Sequence, residues 1–151
     1  MNRFTTEPGA RARSRGVTLL ELMAVVLIVG ILGTIAVNSY RGYLLRTNRT
    51  EARMALLQIQ ANQEKFFLQN NRYAIGSAEL SNTPTHATTP GLGISATTPG
   101  GHYAITMAST NTTYTATATA TGGQTRDVAA CLTLRISEDG RREPTGNDCW
   151  R

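Results

Sequence analysis

Residues Val17 to Val37 read VTLLELMAVVLIVGILGTIAV, 21 residues with a single charge, Glu21. A helix of that length covers about 30 Å, the thickness of the hydrocarbon core of a bilayer. The run is preceded by Arg3, Arg11, Arg13 and Arg15 against one acid, Glu7, and the next cation after it is Arg41. That asymmetry keeps the arginine-rich side cytoplasmic and puts the C-terminal body outside the cytoplasm. The net charge of +5 therefore reads as topology, since residues 1–16 hold most of it. The remainder is only mildly basic and gives little reason to expect nucleic acid binding. A cleaved secretory signal is the competing reading, but the small-residue site Thr34-Ile35-Ala36 would leave an apolar region longer than the usual ~7–15 residues.

Beyond the run, Ser39 to Tyr73 contains no proline, and Ala52, Ala55, Leu56, Ile59 and Phe66 recur at three- and four-residue spacing. This predicts an amphipathic helix continuous with the apolar one, from about residue 18 to 69. Glu51, Arg53, Gln60 and Glu64 fall largely off the stripe, and Asn70-Asn71 is a plausible stop. Gly30, Gly33 and Gly42 are its weak points, each costing about 1 kcal/mol against alanine. From Ser77 to Gly101 the composition shifts to Thr, Ser, Pro and Gly, with Pro84, Pro90 and Pro99, which predicts a loop. The segments HYAITMAS, TTYTATATAT and CLTLRIS then alternate or run β-branched, and Asp139-Gly140 marks a hairpin. The expected fold is α+β: a long N-terminal helix with one face laid on a small antiparallel sheet. The chain contains two cysteines, Cys131 and Cys149, so a bridge, if formed, has one connectivity and implies an oxidising compartment.

The specific signal is Arg-Ser-Arg-Gly-Val-Thr-Leu-Leu-Glu-Leu-Met, residues 13–23, where a carboxylate sits four residues into an apolar stretch. Charges inside a membrane are costly and mark function or pairing. If the chain is cut between Gly16 and Val17, a new α-amino group appears about one helical turn from Glu21 and can neutralise it within or between subunits.

These residues resemble the processing signal of type IV prepilins: a basic leader, Gly16 at the cut, Thr18, Glu21 as the fifth residue after the cut, and an apolar run. A second resemblance, to type IVa and minor pilins of the PilE-like kind, rests on Asn71-Arg72-Tyr73-Ala74 and Asp148-Cys149-Trp150. The resemblance implies a pilin fold in three parts: a leader over residues 1–16, a membrane-spanning and filament-core half-helix over 17–37, and an amphipathic half-helix with a β-sheet head over 38–151. It implies cleavage after Gly16 by a membrane prepilin peptidase, N-methylation of Val17, and contact of Glu21 with the terminal amine of an adjacent subunit, fixing axial register. It also implies that Cys131 and Cys149 bracket a surface region of 17 residues in a disulfide loop; two buried free thiols are the alternative. The sequence differs from the commonest pattern in Val17 in place of phenylalanine, a sixteen-residue leader, and Asn38 where many such proteins carry a helix-kinking proline.

The implied partners are the peptidase, major and minor pilin subunits, the inner-membrane assembly platform and, before assembly, the membrane itself. The implied location is the inner membrane, with the C-terminus periplasmic, then a pilus at the cell surface. The implied role is a minor, non-enzymatic pilus subunit serving motility, adhesion or DNA uptake. A type II secretion pseudopilin and an uncleaved single-pass protein with a periplasmic binding domain are the alternatives. No cofactor or metal is expected. Gly91-Leu92-Gly93-Ile94-Ser95-Ala96 matches a dinucleotide fingerprint only formally, lacking the strand before it and the helix after it. His86 and His102 have no ligand spacing around them. Glu138, Asp139, Glu143 and Asp148 read as a solvated turn more readily than as a calcium loop. Arg141, Arg142 and Arg151 form at most a small basic patch.

Overall fold

The computed structural model describes residues 16–146 and 148–151. The leader, except for Gly16, lies outside the described residues. The chain divides into two compact units, one ending at Asn38 and one running Ser39–Arg151. Helix α1 spans Leu19–Asn70, within about a residue of expectation, and is helical through Gly30, Gly33 and Gly42. Within the first unit, every described residue from Val17 to Val37 is exposed.

In the second unit, the helical stripe and the sheet share one core. Ala52, Leu56 and Ile59 are fully buried and Phe66 nearly so, while the predicted Ala55 packs at the edge of that core. Four antiparallel strands, β1 (Tyr103–Ser109), β2 (Tyr114–Ala120), β3 (Thr133–Ser137) and β4 (Arg142–Glu143), lie in sequence order. Strand alternation sends Tyr103, Ile105 and Met107 of β1, Tyr114, Ala116, Ala118 and Ala120 of β2, and Leu134 and Ile136 of β3 inward. The register places Ile105, Ala118 and Leu134 in one row and Met107, Ala116 and Ile136 in the next. Each row thus runs large, small, large, and the alanines of central β2 leave room for the side chains of α1. The Thr-Ala alternation encodes this pattern directly.

The stop at Asn70-Asn71 has the expected physical form. Asn71 takes a left-handed conformation, φ 54°, which asparagine tolerates, and its N–H donates to Phe67 O at 2.8 Å. Gln63 then secures the exit of the chain: its side chain donates to Ala74 O at 3.1 Å and accepts from Ala74 N–H at 2.9 Å.

The expected loop over Ser77–Gly101 requires correction, because it begins with a short helix, α2 (Gly76–Ser81), which buries Leu80. Proline excludes helix only in its own neighbourhood, and this turn ends before Pro84. The Gly-x-Gly segment explains itself here. Leu92, Gly93 and Ile94 donate their N–H groups to Glu79 O, Asn82 O and Leu80 O at 2.7, 2.7 and 2.9 Å, satisfying the carbonyls at the end of α2. A Cβ on Gly91 would lie 2.2 Å from Glu79 O and 2.7 Å from Asn82 O. Gly91→Ala is therefore expected to destabilise the detergent-solubilised chain by roughly 1–3 kcal/mol. Gly123→Ala, which points into open space, should leave the thermal midpoint nearly unchanged.

Candidate functional site

At the N-terminal end, Gly16, Val17 and Thr18 precede the first helical residue and are exposed. Thr18 caps α1: its Oγ1 accepts from Glu21 N–H at 3.2 Å, and its carbonyl accepts from Leu22 N–H at 3.1 Å. Thr18-x-x-Glu21 is the spacing of a capping box, a signal present in the sequence that family resemblance had supplied only as a pair of site residues. The local reason for a threonine and an acid here is thus helix initiation, with Glu21 in the first turn where the helix macrodipole favours negative charge. Among the described residues no guanidinium lies within 4 Å of the Glu21 carboxylate. The rest of the stretch is internally satisfied: Thr34 Oγ1 donates to Ile31 O at 2.7 Å. The helix is long and apolar enough to cross a membrane.

The second group of site residues is joined covalently. Cys131, ending the 3₁₀ turn Ala129–Cys131, and Cys149, within the turn Asp148–Trp150, form a disulfide with Cα atoms 5.4 Å apart, both sulfurs buried. It ties the last turn back to the start of β3, and closing a loop of this size contributes about 3 kcal/mol. Trp150 Nε1–H donates to Glu143 O at 2.9 Å, and Arg142 stacks over the indole at 5.5 Å, holding β4 beside the same turn.

A buried polar cluster escaped the sequence reading. Arg49 makes a two-pronged ion pair with Asp127, donating from Nε to Oδ2 at 2.6 Å and from its second nitrogen to Oδ1. Gln124 Nε2 lies within hydrogen-bond distance of Leu45 O, Tyr103 Oη and Asp127 Oδ2, at 3.0, 3.1 and 3.0 Å, and Gln124 Oε1 accepts from Asn48. This cluster pins the helix segment 45–49 to the 3₁₀ turn Gly122–Arg126 and the residues just after it. Burial opposes ionisation of Asp127, but hydrogen bonds from Arg49 and from Val128 N–H outweigh it, so its carboxyl titrates below the ordinary range. Hydrogen bonding from Arg72, against burial and with help from Ile75 N–H, lowers Glu79 in the same way.

The four acids near the disulfide loop have separate partners. Glu143 faces Arg135 at 3.9 Å, Asp148 faces Arg151 at 3.2 Å, and Glu138 and Asp139 accept from the backbone N–H groups of Tyr114 and Arg141. Among the described residues no group of three or more His, Cys, Asp or Glu side chains is placed to hold a metal. His86 is used locally, its Nδ1 facing Thr89 N–H at 3.3 Å.

An exposed apolar half-helix whose amphipathic continuation lies on a four-stranded antiparallel sheet is the architecture of a pilin. Comparison with known proteins agrees. The family described as "Type IV minor pilin ComP, DNA uptake sequence receptor" matches residues 38–135, and the prokaryotic N-terminal methylation motif matches residues 11–37. The chain belongs to this family of type IV minor pilins. It is 36% identical over 84 residues to the type IV major pilin protein PilA of Myxococcus xanthus (strain DK1622), a match covering 56% of this chain and 38% of that protein. It is 34% identical over 61 residues to type II secretion system core protein G of Pectobacterium carotovorum subsp. carotovorum, covering 40% and 39%. The chain thus spans well under two thirds of the length of either relative. The structure of a type IV pilin from Shewanella oneidensis superposes with a TM-score of 0.50 at 24% identity, covering 71% of this chain and 98% of that one, a likeness of fold.

Removing one partner of the buried ion pair leaves the other charge unpaired, so Asp127→Ala is expected to cost about 3–5 kcal/mol. Replacing both, as Arg49→Met with Asp127→Leu, should recover much of that loss in thermal denaturation. The lowered Asp127 carboxyl stabilises the fold at pH values above the ordinary aspartate range. That contribution should be lost as pH falls below about 4 through the folded-state value. The double variant should show a shallower acid limb.

Proposed function

We propose that this chain is a minor subunit of a type IV pilus, cut after Gly16, N-methylated on Val17 and inserted into the filament through its apolar half-helix. The observation that carries this reading is the wholly exposed stretch Val17–Val37 with Glu21 as its single charge, on a segment that matches the methylation motif. Such a helix needs an apolar surrounding both before and after assembly. The bilayer supplies the first, with the C-terminal unit on the periplasmic side, and a bundle of like helices supplies the second. The new Val17 amine is the natural counter-charge for Glu21 of a neighbouring subunit, which sets axial register. The prepilin peptidase, the other pilin subunits and the inner-membrane assembly platform are the partners this sequence of events requires.

The likeness to secretion core protein G keeps the pseudopilus as a second machine. The family description and the exposed Arg141 and Arg142 at the start of β4 favour a further reading, in which the C-terminal unit contacts DNA. The near-balance of charge after Gly16 argues that such binding is weak and strongly salt-dependent.

Glu21→Ala is expected to leave cleavage at Val17 intact while reducing recovery of the subunit in sheared filaments by tenfold or more, that is, by about 1.4 kcal/mol or more of assembly free energy. Normal incorporation of that variant, measured by quantitative immunoblotting of the filament fraction, would remove Glu21 from the register role.

A further inference from the structure

The segment of α1 that follows the apolar stretch, Ser39–Thr50, holds Arg41, Arg46 and Arg49 and no acid, the next being Glu51. Arg49 is buried and paired with Asp127. Arg41 and Arg46 are exposed, and among the described residues neither makes an ion pair. Arg46 borders the cleft that holds Asp148, but that carboxylate faces Arg151. The same segment leaves Tyr40 62%, Tyr43 66% and Leu44 39% exposed, an unusual display of large apolar side chains beside unpaired cations.

Helical geometry arranges these residues as a collar. At about 100° per residue, Tyr40, Tyr43, Leu44 and Thr47 fall within an arc of about 100°, and Arg41 and Arg46 lie about 60° outside its two edges. The other side of the helix is occupied: Leu45 O and Asn48 meet Gln124, and Arg49 meets Asp127. The aromatic arc is thus turned away from the rest of its unit. Along α1, Tyr40, Arg41, Tyr43 and Arg46 follow Val37 by about 4.5, 6, 9 and 13.5 Å. Helical Cα–Cβ bonds tilt toward the N-terminus, so long side chains here reach back toward the apolar stretch. The polar layer that flanks the hydrocarbon core of a bilayer is about 5–8 Å deep on each side, within that reach.

We infer that Arg41 and Arg46, with Tyr40 and Tyr43 between them, bind the anionic phospholipid headgroups of the periplasmic leaflet while the subunit is in the membrane. Lipid phosphate is the counter-charge that both guanidiniums lack, presented at the depth where they stand. Tyrosine suits the same layer, its ring against the upper acyl chains and its hydroxyl among the headgroups. A bundle of apolar helices would cover the two rings but leave both arginines without an anion. Duplex DNA would take the arginines but gives two tyrosines and a leucine nothing to bury against. The collar holds the subunit at one depth and is released when the helix leaves the bilayer. The inference rests on the membrane stage of the reading above.

Both cysteines of the chain are joined to each other, so a single introduced cysteine can carry a fluorescent label. The full chain labelled at exposed Thr47→Cys is reconstituted in vesicles of phosphatidylcholine and phosphatidylglycerol. One lipid or the other bears a nitroxide quencher near its headgroup. At equal mole fraction, nitroxide phosphatidylglycerol should quench the label about twofold or more better than nitroxide phosphatidylcholine. That preference should vanish when Arg41→Gln and Arg46→Gln are added and persist with Arg41→Lys and Arg46→Lys. A label at Leu68→Cys, about 30 Å further along α1, should escape both quenchers. Equal quenching by the two lipids, or a preference that survives the glutamine pair, would overturn the inference. So would a label at position 47 untouched by either lipid while one at Ile28→Cys is quenched, and the membrane stage would stand. Failure to quench at position 28 as well would overturn the membrane stage, and this inference with it.

Discussion

Unburied apolar surface is the constraint on which everything else in this protein depends. Fourteen Val, Leu, Ile or Met side chains between Val17 and Val37 stand more than half exposed. At about 1.5–3 kcal/mol for burying each, the stretch carries of the order of 20–40 kcal/mol of unrealised hydrophobic free energy, beyond the ~5–15 kcal/mol net stability of an ordinary domain. No arrangement of this segment alone in water removes that cost. The helix must be covered by lipid or by other helices, and a protein built around such an element is defined by what covers it.

The unit Ser39–Arg151 follows the opposite logic. Its core is complete without a partner: the stripe of α1, the inner rows of the sheet and the disulfide are all buried within it. Most polar groups that enter this core arrive with partners, Arg49 with Asp127 and Gln63 with both backbone groups of Ala74, the Tyr114 hydroxyl being the exception among the described residues. This division of labour suits a subunit whose helix serves assembly and whose remaining surface is free to differ from that of its relatives.

Most of this architecture was legible because it rests on periodicity and local chemistry. The strands announced themselves by alternation, the helix stripe by three- and four-residue spacing, and the helix stop by Asn70-Asn71. The polar cluster was hidden for a physical reason. Arg49 and Gln63 continue the stripe through 49, 52, 56, 59, 63 and 66, but their polarity argued against burial, and the residues that make burial tolerable for Arg49 lie more than 70 positions away. Short α2 was masked by the prolines after it, and the glycines at 91 and 93 signalled a loop without showing that the loop caps a helix. Thr18-x-x-Glu21 shows a different limit: the same two residues start a helix and sit where a processed terminus would need them, so local pattern alone cannot separate the roles.

The most direct test of the account is the N-terminus of the protein recovered from a native envelope fraction, read by intact mass and terminal sequencing. The account predicts a chain beginning at Val17 and carrying a methyl group on its amine. An intact chain beginning at Met1 would contradict it, and would make the exposed helix a permanent membrane anchor instead of a filament core.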